Sequence, residues 1–380
     1  MQLRGRIRSS ITRWMTAAAL MMLLFVSCQR RPLEIYYRPT CRVTLDVDWS
    51  DFPEVPTGMS AYFYRDGNPV PIIISTADIY STEVNLPEGH YNCFVINQTE
   101  EEFYSFDFMD MNEFGEAKAV LASTKSRWFK ANSTRADIDP SAVAIAPENL
   151  GIGLVGEFEI TQEMIEIYQA DYADWVTKTK SKTTKAEISK SSLDATSVHL
   201  HATVHNVVCE LNVQVHIKNI QYLYSARASM DGLATGVFLH NGVTTEDQTV
   251  QLLESDIWTM HVNENDPTSG YIEAKIRTLG LPGQVNTDFT LRDPSANLFT
   301  LNCLLVDHTT ARSFDFEVGN KFELEMGIHG LNLALNLSVG TDVKPEITLP
   351  EVEPVEGGST GGFDVNVDEW DQGETVDIPM

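Results

Sequence analysis

The stretch Cys41-Arg-Val-Thr-Leu-Asp-Val-Asp-Trp49 alternates apolar and polar residues without interruption. Its apolar row consists of Cys41, Val43, Leu45, Val47 and Trp49. Because successive side chains of a strand point to opposite faces, this pattern predicts a strand with one buried and one solvated face. Half-buried strands of this kind are typical of antiparallel sheets with a single covered face.

More short strands follow, separated by turn residues. Met59–Tyr64 and Val70–Ile74 flank a Gly/Pro turn and predict a hairpin, and residues 84–97 predict two strands joined at another Pro/Gly turn. Two further strands are predicted at Phe103–Phe108 and Leu154–Ile160. Short strands at this density indicate an antiparallel sandwich, which we assign to residues 41–160.

The period of the apolar residues changes after residue 160. Aromatic and apolar residues recur at helical spacing over Thr161–Val176 and predict a short helix. Lys178–Lys190 then carries five Lys and one Glu among Thr and Ser, a composition typical of a solvated linker. We therefore expect a short helix and a Lys-rich linker, residues 161–196, between two domains.

The second half repeats the strand rhythm. Val198–Val204 and Val207–Val215 place their apolar residues on opposite parities, a reversal that a bulge or a hairpin near Asn206 would explain. Later strands are predicted at Gly236–Leu239, Tyr271–Arg277, Asn297–Val306, Ser313–Val318 and Leu331–Val339. The expected fold is therefore all-β, with a C-terminal β-sandwich domain over residues 197–350.

The first 27 residues have the layout of a signal peptide. Four arginines without an acidic residue precede an apolar run, Trp14–Val26, that is shorter than the ~20 residues of a membrane-spanning helix. Phe25-Val26-Ser27-Cys28 resembles a bacterial lipobox, in which the cysteine is acylated and becomes the first mature residue. We predict lipidation of Cys28 and a tether over residues 28–40, with an ordinary secretory peptide as the alternative.

The charge balance of the chain excludes one class of partner. Removal of residues 1–27 takes away four of the 27 basic residues and none of the 54 acidic ones, which leaves a net charge near −31. Phosphate backbones require clustered Lys and Arg, so no nucleic-acid partner is expected. Four further cysteines, Cys41, Cys93, Cys209 and Cys303, lie in predicted strands without the spacing of a disulfide framework. Free buried thiols are expected, with two disulfides as the alternative.

No motif in the chain predicts an enzyme. Gly357-Gly358-Ser359-Thr360-Gly361 fits the hydrolase pattern G-x-S-x-G, but that mechanism needs a strand-to-helix elbow and this copy lies in a Gly-rich tail. His199, His201 and His205 share the polar face of a predicted strand, without a carboxylate or cysteine at the spacing of a closed metal site. We therefore expect no catalytic residue, no metal and no cofactor apart from the covalent lipid on Cys28.

The C-terminal residues 351–380 form an acidic, Gly-rich tail with nine acidic residues and no Lys or Arg. This composition is typical of disordered segments. Within the tail, however, Phe363, Val365 and Val367 alternate with polar residues and predict a short strand behind a Gly-rich hinge.

Several short motifs follow one another in a set order along the chain. They are the lipobox cysteine Cys28, Val47-Asp48-Trp49, Phe63-Tyr64-Arg65-Asp66-Gly67, the stretch Leu86–Asn97 and the stretch Met230–Leu239. With this order, from Cys28 to Met380, the chain resembles fimbrillin-like outer-membrane lipoproteins of Gram-negative gut and oral anaerobes. The resemblance is to the fimbrial anchor or minor-subunit type.

This resemblance implies two tandem transthyretin-like Greek-key β-sandwich domains, held at the outer membrane by lipid. Cell-surface exposure is the expectation, but Gln29-Arg30-Arg31-Pro32-Leu33 lacks the early acidic run often found on lipoproteins flipped to the surface, so both sides of the membrane stay open. The resemblance also implies fimbrillin-like subunits as partners and assembly by strand exchange, in which one subunit's C-terminal segment completes the sheet of the next. Phe363, Val365 and Val367 are then the candidate exchange residues, although the same segment could complete its own domain. Shaft subunits lose their lipid by cleavage after an arginine near the first strand. Here Arg38 precedes Pro39 and Arg42 lies in a predicted strand, which favours a retained-lipid anchor.

An outer-membrane lipoprotein that binds a glycan or a host ligand is the alternative function. Such a site needs an exposed Trp or Tyr beside Asp or Asn on one face. The candidate aromatic residues Trp258, Tyr271 and Trp370 are far apart in the sequence, which does not show whether any of them has such neighbours.

Overall fold

The computed structural model describes residues 39–126, 128, 143–181, 198–283, 289–327, 330–337 and 347–355. The predicted all-β class is confirmed, because the strands form four sheets that the α-helix Gln162–Ser181 (α1) accompanies. The finer expectation of two tandem transthyretin-like Greek-key domains stays a prediction.

The strands are numbered here in chain order. They are β1 Thr40–Asp48, β2 Met59–Arg65, β3 Ile72–Thr76, β4 Ser81–Pro87, β5 Gly89–Ile96, β6 Phe106–Met109, β7 Lys118–Leu121, β8 Ser123–Thr124, β9 Val143–Ala144, β10 Gly151–Ile160, β11 Val198–Asn206, β12 Cys209–Lys218, β13 Leu223–Ala234, β14 Gly236–Phe238, β15 Gln248–Leu253, β16 Thr259–Asn263, β17 Asp266–Thr278, β18 Leu298–Leu305, β19 Ala311–Glu317, β20 Phe322–Gly327 and β21 Gly330–Leu337.

Seven strands form the first sheet, in the order β3-β2-β5-β10-β11-β1-β4. β1 pairs in parallel with β11 and antiparallel with β4, so it is an interior strand. Inward side chains of six of these strands share one buried cluster, which makes this sheet the wall of a single core. The alternation predicted for Cys41–Trp49 is confirmed, because its whole apolar row is buried in that cluster.

A close approach at the start of β10 holds this sheet together. Residues 151–153 pair with β11, and β10 from Ile152 onward pairs with β5, so Gly153 has a strand on both sides. A Cβ added to Gly151 would lie 2.7 Å from Val204 Cγ1 and 2.9 Å from Phe52 Cε2, and one on Gly153 would lie 2.8 Å from Val204 Cγ2. The start of β10 therefore requires glycine at positions 151 and 153, because any side chain would clash with Val204.

Two more sheets enclose the core of the C-terminal half. The five-stranded sheet has the order β16-β17-β12-β21-β20, and the six-stranded sheet has the order β19-β18-β13-β15-β9-β8. Their facing side chains form one buried cluster that includes Leu211, Val213, Ala228, Phe299 and Leu301. Two short strands from the N-terminal half, β8 and β9, extend the six-stranded sheet, so the two halves of the chain share hydrogen bonds.

A three-stranded sheet, β14-β7-β6, joins the halves a second time. It covers the outer face of β2 and β5 through a buried group of side chains that we call the joining cluster. Its members are Tyr62, Tyr64, Phe94, Ile96, Phe103, Phe106, Ala117, Ala119, Leu121, Ala144, Leu150, Ile152, Val208, Ala234, Val237, Leu239 and Leu279. Both faces of β2 and β5 are therefore buried, which accounts for the unbroken burial along β2.

The structure corrects two local predictions. The parity reversal near Asn206 is neither a bulge nor a hairpin, because β11 lies between β10 and β1 whereas β12 lies between β17 and β21. The chain passes there from the first sheet to the five-stranded sheet. β11 thus pairs with N-terminal strands although it follows the linker predicted over residues 161–196.

The helix α1 is also longer than predicted. It continues beyond Val176 to Ser181, inside the stretch interpreted as linker. Lysine has a good helix propensity, and cations in the last turn interact favourably with the helix dipole, so a Lys-rich sequence extends a helix without difficulty. Ile165 anchors α1 because its side chain is buried in the core of the first sheet, where Tyr168 also packs.

A bulge in β13 explains the motif Met230–Leu239. The pairing of β13 with β15 shifts register between Met230 and Leu233, and Gly232 adopts φ +79° within the shift. Asn297 Nδ2 donates hydrogen bonds to the carbonyls of Asp231 (2.9 Å) and Gly232 (2.8 Å). A Cβ on Gly232 would lie 2.2 Å from the Ala296 carbonyl oxygen, so this position requires glycine.

Replacement of this glycine is a sharp test of the bulge. Gly232→Ala is expected to lower the free energy of unfolding by more than ~3 kcal/mol, because it combines a backbone clash with a left-handed conformation. Gly67→Ala is the matched control, since Gly67 has φ +69° but no atom within 4 Å of the added Cβ. It should cost only about 1–2 kcal/mol. Equal losses in denaturant titrations would contradict the role assigned to Gly232.

The predicted free thiols are confirmed for the four cysteines in the described residues. Cys41, Cys93 and Cys303 are buried and Cys209 is partly buried, and none forms a disulfide. Burial raises the pKa of all four thiols, to about 12 for Cys209 and Cys303. The reactive thiolate form is therefore scarce at neutral pH.

We expect these four thiols to be inert in the native protein. A water-soluble disulfide reagent at mildly alkaline pH should label none of them on the timescale of a free cysteine, and all four after unfolding in guanidinium chloride. Labelling sites are assigned by peptide mass. Rapid native reaction at any of the four would show that the burial of that thiol is wrong.

Candidate functional site

The site residues predicted from the sequence lie outside the described part of the chain. These are the lipidation site Cys28 and the exchange residues Phe363, Val365 and Val367. The G-x-S-x-G copy at residues 357–361 and Trp370 lie outside it as well. The structure does describe the strand that follows the tether and the segment that precedes the tail.

The strand after the tether, β1, is firmly integrated. Val43, Leu45 and Cys41 are fully buried in the first core. On its polar face, Arg42 Nη2 lies 2.7 Å from Glu83 Oε2 of β4, and both partners are partly exposed. Such a surface ion pair adds little stability. The buried apolar side chains of β1 and its hydrogen bonds to β4 and β11 therefore hold the strand in place.

The segment before the tail is fastened to the five-stranded sheet. The N–H of Lys218 donates to the Ile347 carbonyl at 2.9 Å, and the N–H of Leu349 donates to the Lys218 carbonyl at 3.1 Å. Asn219 Nδ2 donates to the Leu349 carbonyl at 2.8 Å. Both Ile347 and Leu349 are buried in the C-terminal core. We call Ile347–Leu349 with these bonds the C-terminal clasp.

A surface cluster on the outer face of the same sheet contains Tyr271, one of the aromatic candidates from the sequence, together with two histidines that the sequence did not indicate. Register places His216 of β12 opposite Tyr271 of β17, and Tyr271 opposite His261 of β16. The rings of His261 and Tyr271 are stacked with centroids 4.6 Å apart, and those of His216 and Tyr271 are 5.5 Å apart. We call these three rings the ring ladder.

The ring ladder borders an open concavity of about 620 Å³. The concavity is lined by His216, Ile217, Lys218, His261, Val262, Asn263, Asp266, Ser269, Gly270 and Tyr271. Its origin is a register shift between Val262 and Asn263, where β17 carries extra residues against β16. Bulges of this kind locally bend a strand and redirect its side chains.

Hydrogen bonds and burial fix the charges around the concavity. His261 Nε2 lies 3.0 Å from Glu273 Oε1, which orients the imidazole ring. The Thr268 hydroxyl donates to Asp266 Oδ1 at 2.6 Å, and hydrogen bonds from Thr268 and Ser269 lower the pKa of Asp266. Partial burial lowers the pKa of His216. At neutral pH the site therefore presents an ionised Asp266 and a neutral His216.

The structure also describes four other candidate residues from the sequence, Trp258 and three histidines. Trp258 is buried and its indole N–H points to the Leu253 carbonyl at 3.5 Å, so it belongs to the core. The predicted exposure of His199, His201 and His205 is confirmed. His199 Nδ1 lies 3.6 Å from Asp46 Oδ2 and His205 Nδ1 lies 3.2 Å from an oxygen of Asp51.

The described residues contain neither a metal-binding group of side chains nor a membrane-spanning helix. Among these residues, no three His, Cys, Asp or Glu side chains are grouped so that they could hold a metal ion. Within the same residues, no helix combines the length and the apolar character that crossing a bilayer requires.

Comparison with protein families places the chain. The model of a family described as a domain of unknown function, DUF5119, matches residues 27–254, which is more than half of the chain. The chain belongs to this family. The match includes Cys28, the whole first sheet and the three-stranded sheet of this DUF5119 protein. A search of curated proteins gives no match.

Several solved structures are similar to this DUF5119 protein. A candidate adhesin from Bacteroides ovatus ATCC 8483 has a TM-score of 0.50 at 15% identity, over 86% of this chain and 98% of the other. A second candidate adhesin from Bacteroides ovatus has a TM-score of 0.41 at 9% identity, over 74% of this chain and 78% of the other. The fimbrial anchor protein Mfa2 from Porphyromonas gingivalis has a TM-score of 0.39 at 10% identity, over 77% of this chain and 95% of the other. Of these three, the first adhesin structure shows a shared fold with this chain.

The C-terminal clasp can be tested by stability measurements. Leu349→Ala should lower the free energy of unfolding by about 2–4 kcal/mol, because it leaves a cavity in the C-terminal core. Val355→Ala is the control, since Val355 is 48% exposed and its truncation should change stability by less than ~0.5 kcal/mol. If both variants unfold like the parent, the segment is not part of the folded core.

Proposed function

We propose that this protein is a lipid-anchored component of cell-surface fimbriae, an anchor or minor subunit that joins its neighbour by strand exchange. The N-terminal signal region with Cys28 supports export and lipidation at the outer membrane. The all-β fold, shared with a candidate adhesin, supports a surface role without catalysis. Fimbrillin-like subunits are the proposed partners.

The C-terminal clasp is the observation that carries the exchange proposal. It fixes Ile347 and Leu349 to the core, and the N–H of Val355 still donates to the Val306 carbonyl at 3.3 Å. The candidate strand begins only at Phe363, so several residues separate it from the last fastened position. Such a spacing supports a segment that can reach another subunit while its base stays attached.

Simple energetics favour pairing over a free strand. Burial of Phe363, Val365 and Val367 would contribute roughly 5–9 kcal/mol at about 1.5–3 kcal/mol each. Ordering six residues costs about 6–12 kcal/mol. Burial alone therefore does not order the segment. Ladder hydrogen bonds of about 0.5–1.5 kcal/mol each make the association with an open sheet edge favourable.

Retention of the lipid is supported by the position of Arg42. A protease needs several extended residues free of hydrogen bonds on either side of the cleaved bond. Arg42 lies inside β1, opposite Asn85 of β4, with fully buried Cys41 and Val43 beside it. Cleavage there would require the interior strand to leave its sheet, so we assign the protein to the anchored rather than the released type.

Deletion of residues 357–380 separates exchange from self-completion. If the tail is donated, the deletion should abolish incorporation into fibres, seen by electron microscopy of outer membranes, and leave the melting temperature unchanged. The triple variant Phe363→Asp, Val365→Asp, Val367→Asp should behave alike, because charges cannot enter the buried row of an acceptor sheet. The matched control Asp364→Asn, Asp368→Asn changes only the polar row and should assemble.

The opposite result has a clear meaning. A melting temperature that falls by several degrees on deletion shows that the segment completes its own domain. Normal fibres containing the deleted chain would contradict the exchange proposal directly.

A further inference from the structure

Helix α1 keeps apolar side chains exposed although Ile165 already anchors it in the core of the first sheet. Met164, Ile167 and Tyr172 are 38%, 48% and 49% exposed. They recur at helical spacing beside Tyr168, whose ring packs on the first core and stacks with that of Tyr172 at a centroid distance of 6.3 Å. A single helix face thus runs from the core of the first sheet out to solvent. We call Met164, Ile167 and Tyr172 the outer stripe.

The helix begins at the edge of the first sheet from which the tether leaves. β1 starts there at Thr40, which pairs with Pro87, the last residue of β4. Two residues later the chain enters β5 at Gly89, which pairs with Ile160, the last residue of β10. α1 follows directly from Gln162 and contacts β1. The outer stripe and the attachment point of the tether therefore lie at the same end of this sheet.

The tether decides which end of this sheet an anchor would hold. Residues 29–39 separate Cys28 from Thr40. An extended chain covers at most ~3.6 Å per residue, so the start of β1 stays within ~45 Å of the anchored residue. The other end of β1 is about 25 Å farther along the strand. There the N–H of Val47 donates to the Tyr80 carbonyl at 2.9 Å. A lipid on Cys28 would therefore hold the end with α1, rather than the opposite end, at a bilayer.

The side chains of α1 suit a neutral bilayer surface. Met and Ile side chains enter the boundary between headgroups and acyl chains, and Tyr is enriched at the level of the headgroups. The helix has four acidic residues and only two lysines, Lys178 and Lys180, so anionic lipid would repel it. Three half-exposed side chains bind a bilayer weakly on their own. An anchored protein needs no more, because its tether keeps α1 at a high effective concentration near the surface.

We propose that the outer stripe of α1 lies on the neutral phospholipid surface of the membrane and sets the orientation of the anchored protein. The lipid supplies the affinity, and the helix decides which side of the folded chain faces the bilayer. The opposite end of β1 then points away from the membrane. This inference rests on the proposed lipidation of Cys28 but does not depend on strand exchange.

The test uses the full lipidated chain, with the acyl chains on Cys28 verified by intact mass, in vesicles of phosphatidylcholine and phosphatidylethanolamine. An environment-sensitive fluorophore is attached to Ile167→Cys, and the parent chain shows that the native thiols take up no label. Contact with the bilayer should shift the emission to shorter wavelength. A lipid with a nitroxide headgroup should quench this label at least about twofold more than the same label on Tyr80→Cys. Tyr80 is the matched position, because it is 60% exposed and lies at the other end of β1.

Charge substitutions test the stripe itself. Met164→Glu with Tyr172→Glu in the labelled chain should reduce the quenching to that of the Tyr80 position, because carboxylates do not enter the acyl boundary. Ala170→Glu with Ala173→Glu is the matched control, since it adds the same two charges at exposed positions on the opposite side of α1. Its quenching should equal that of the labelled parent.

The possible failures can be told apart. Equal quenching at the two labelled positions, with the acyl chains present, overturns the inference about α1 and leaves the proposed function standing. Absence of acyl chains on Cys28 overturns the proposed lipidation and this inference together. Self-quenching of the Ile167 label that rises with protein density, without quenching by the nitroxide lipid, identifies a second copy as the occupant and also overturns it. Melting curves identify a variant that does not fold, in which case Met164→Cys carries the label instead.

Discussion

Burial of β2 and β5 on both faces is the constraint on which the rest of the structure depends. Their inward residues, such as Phe63 and Cys93, fill the first core, while Tyr62, Tyr64 and Phe94 fill the joining cluster. The phenol groups keep partners there, because Tyr62 donates to Glu100 Oε1 and Tyr64 to the Met111 carbonyl, both at 2.8 Å. The cover for this second face includes β14 from the C-terminal half. Separation of the halves would therefore expose a large aromatic surface.

Local periodicity predicted many of the strands but not their partners, and it missed β13, β15, β16 and β20 altogether. The alternation in Cys41–Trp49 identified β1, because a two-residue period reports directly which face is buried. It could not show that β1 pairs with β11, because that parallel pairing joins segments about 150 residues apart in the chain and leaves no mark in the pattern of either strand. The parity reversal at Asn206 was visible for the same reason, but its cause was a change of sheet. Helix α1 was found from its spacing, whereas its end was obscured by a composition that suits both helix and linker.

The ring ladder was predicted only in part, because Tyr271 was a candidate from the sequence whereas His216 and His261 were not. Each of the three occupies an ordinary polar-face position of a strand, and nothing local indicates that they lie together. Their stacking arises because the registers of two antiparallel pairs align three rings. No local signal marks this alignment, since β16 itself was not predicted. The lipobox and the tail strand each depend on a contiguous pattern, and both stay predictions.

An interior β1 has a consequence for the place of this subunit in a fibre. Loss of β1 would expose Val43, Leu45 and Val47, at about 1.5–3 kcal/mol each, and break the ladders to both β4 and β11. A subunit that keeps β1 has no open row of backbone groups at that position, so it cannot accept a neighbour's strand there. Under the proposed strand exchange, such a subunit would donate its tail beyond the C-terminal clasp without accepting a strand in place of β1. That arrangement suits the end of a chain of subunits, where the proposed lipid would hold the fibre to the membrane.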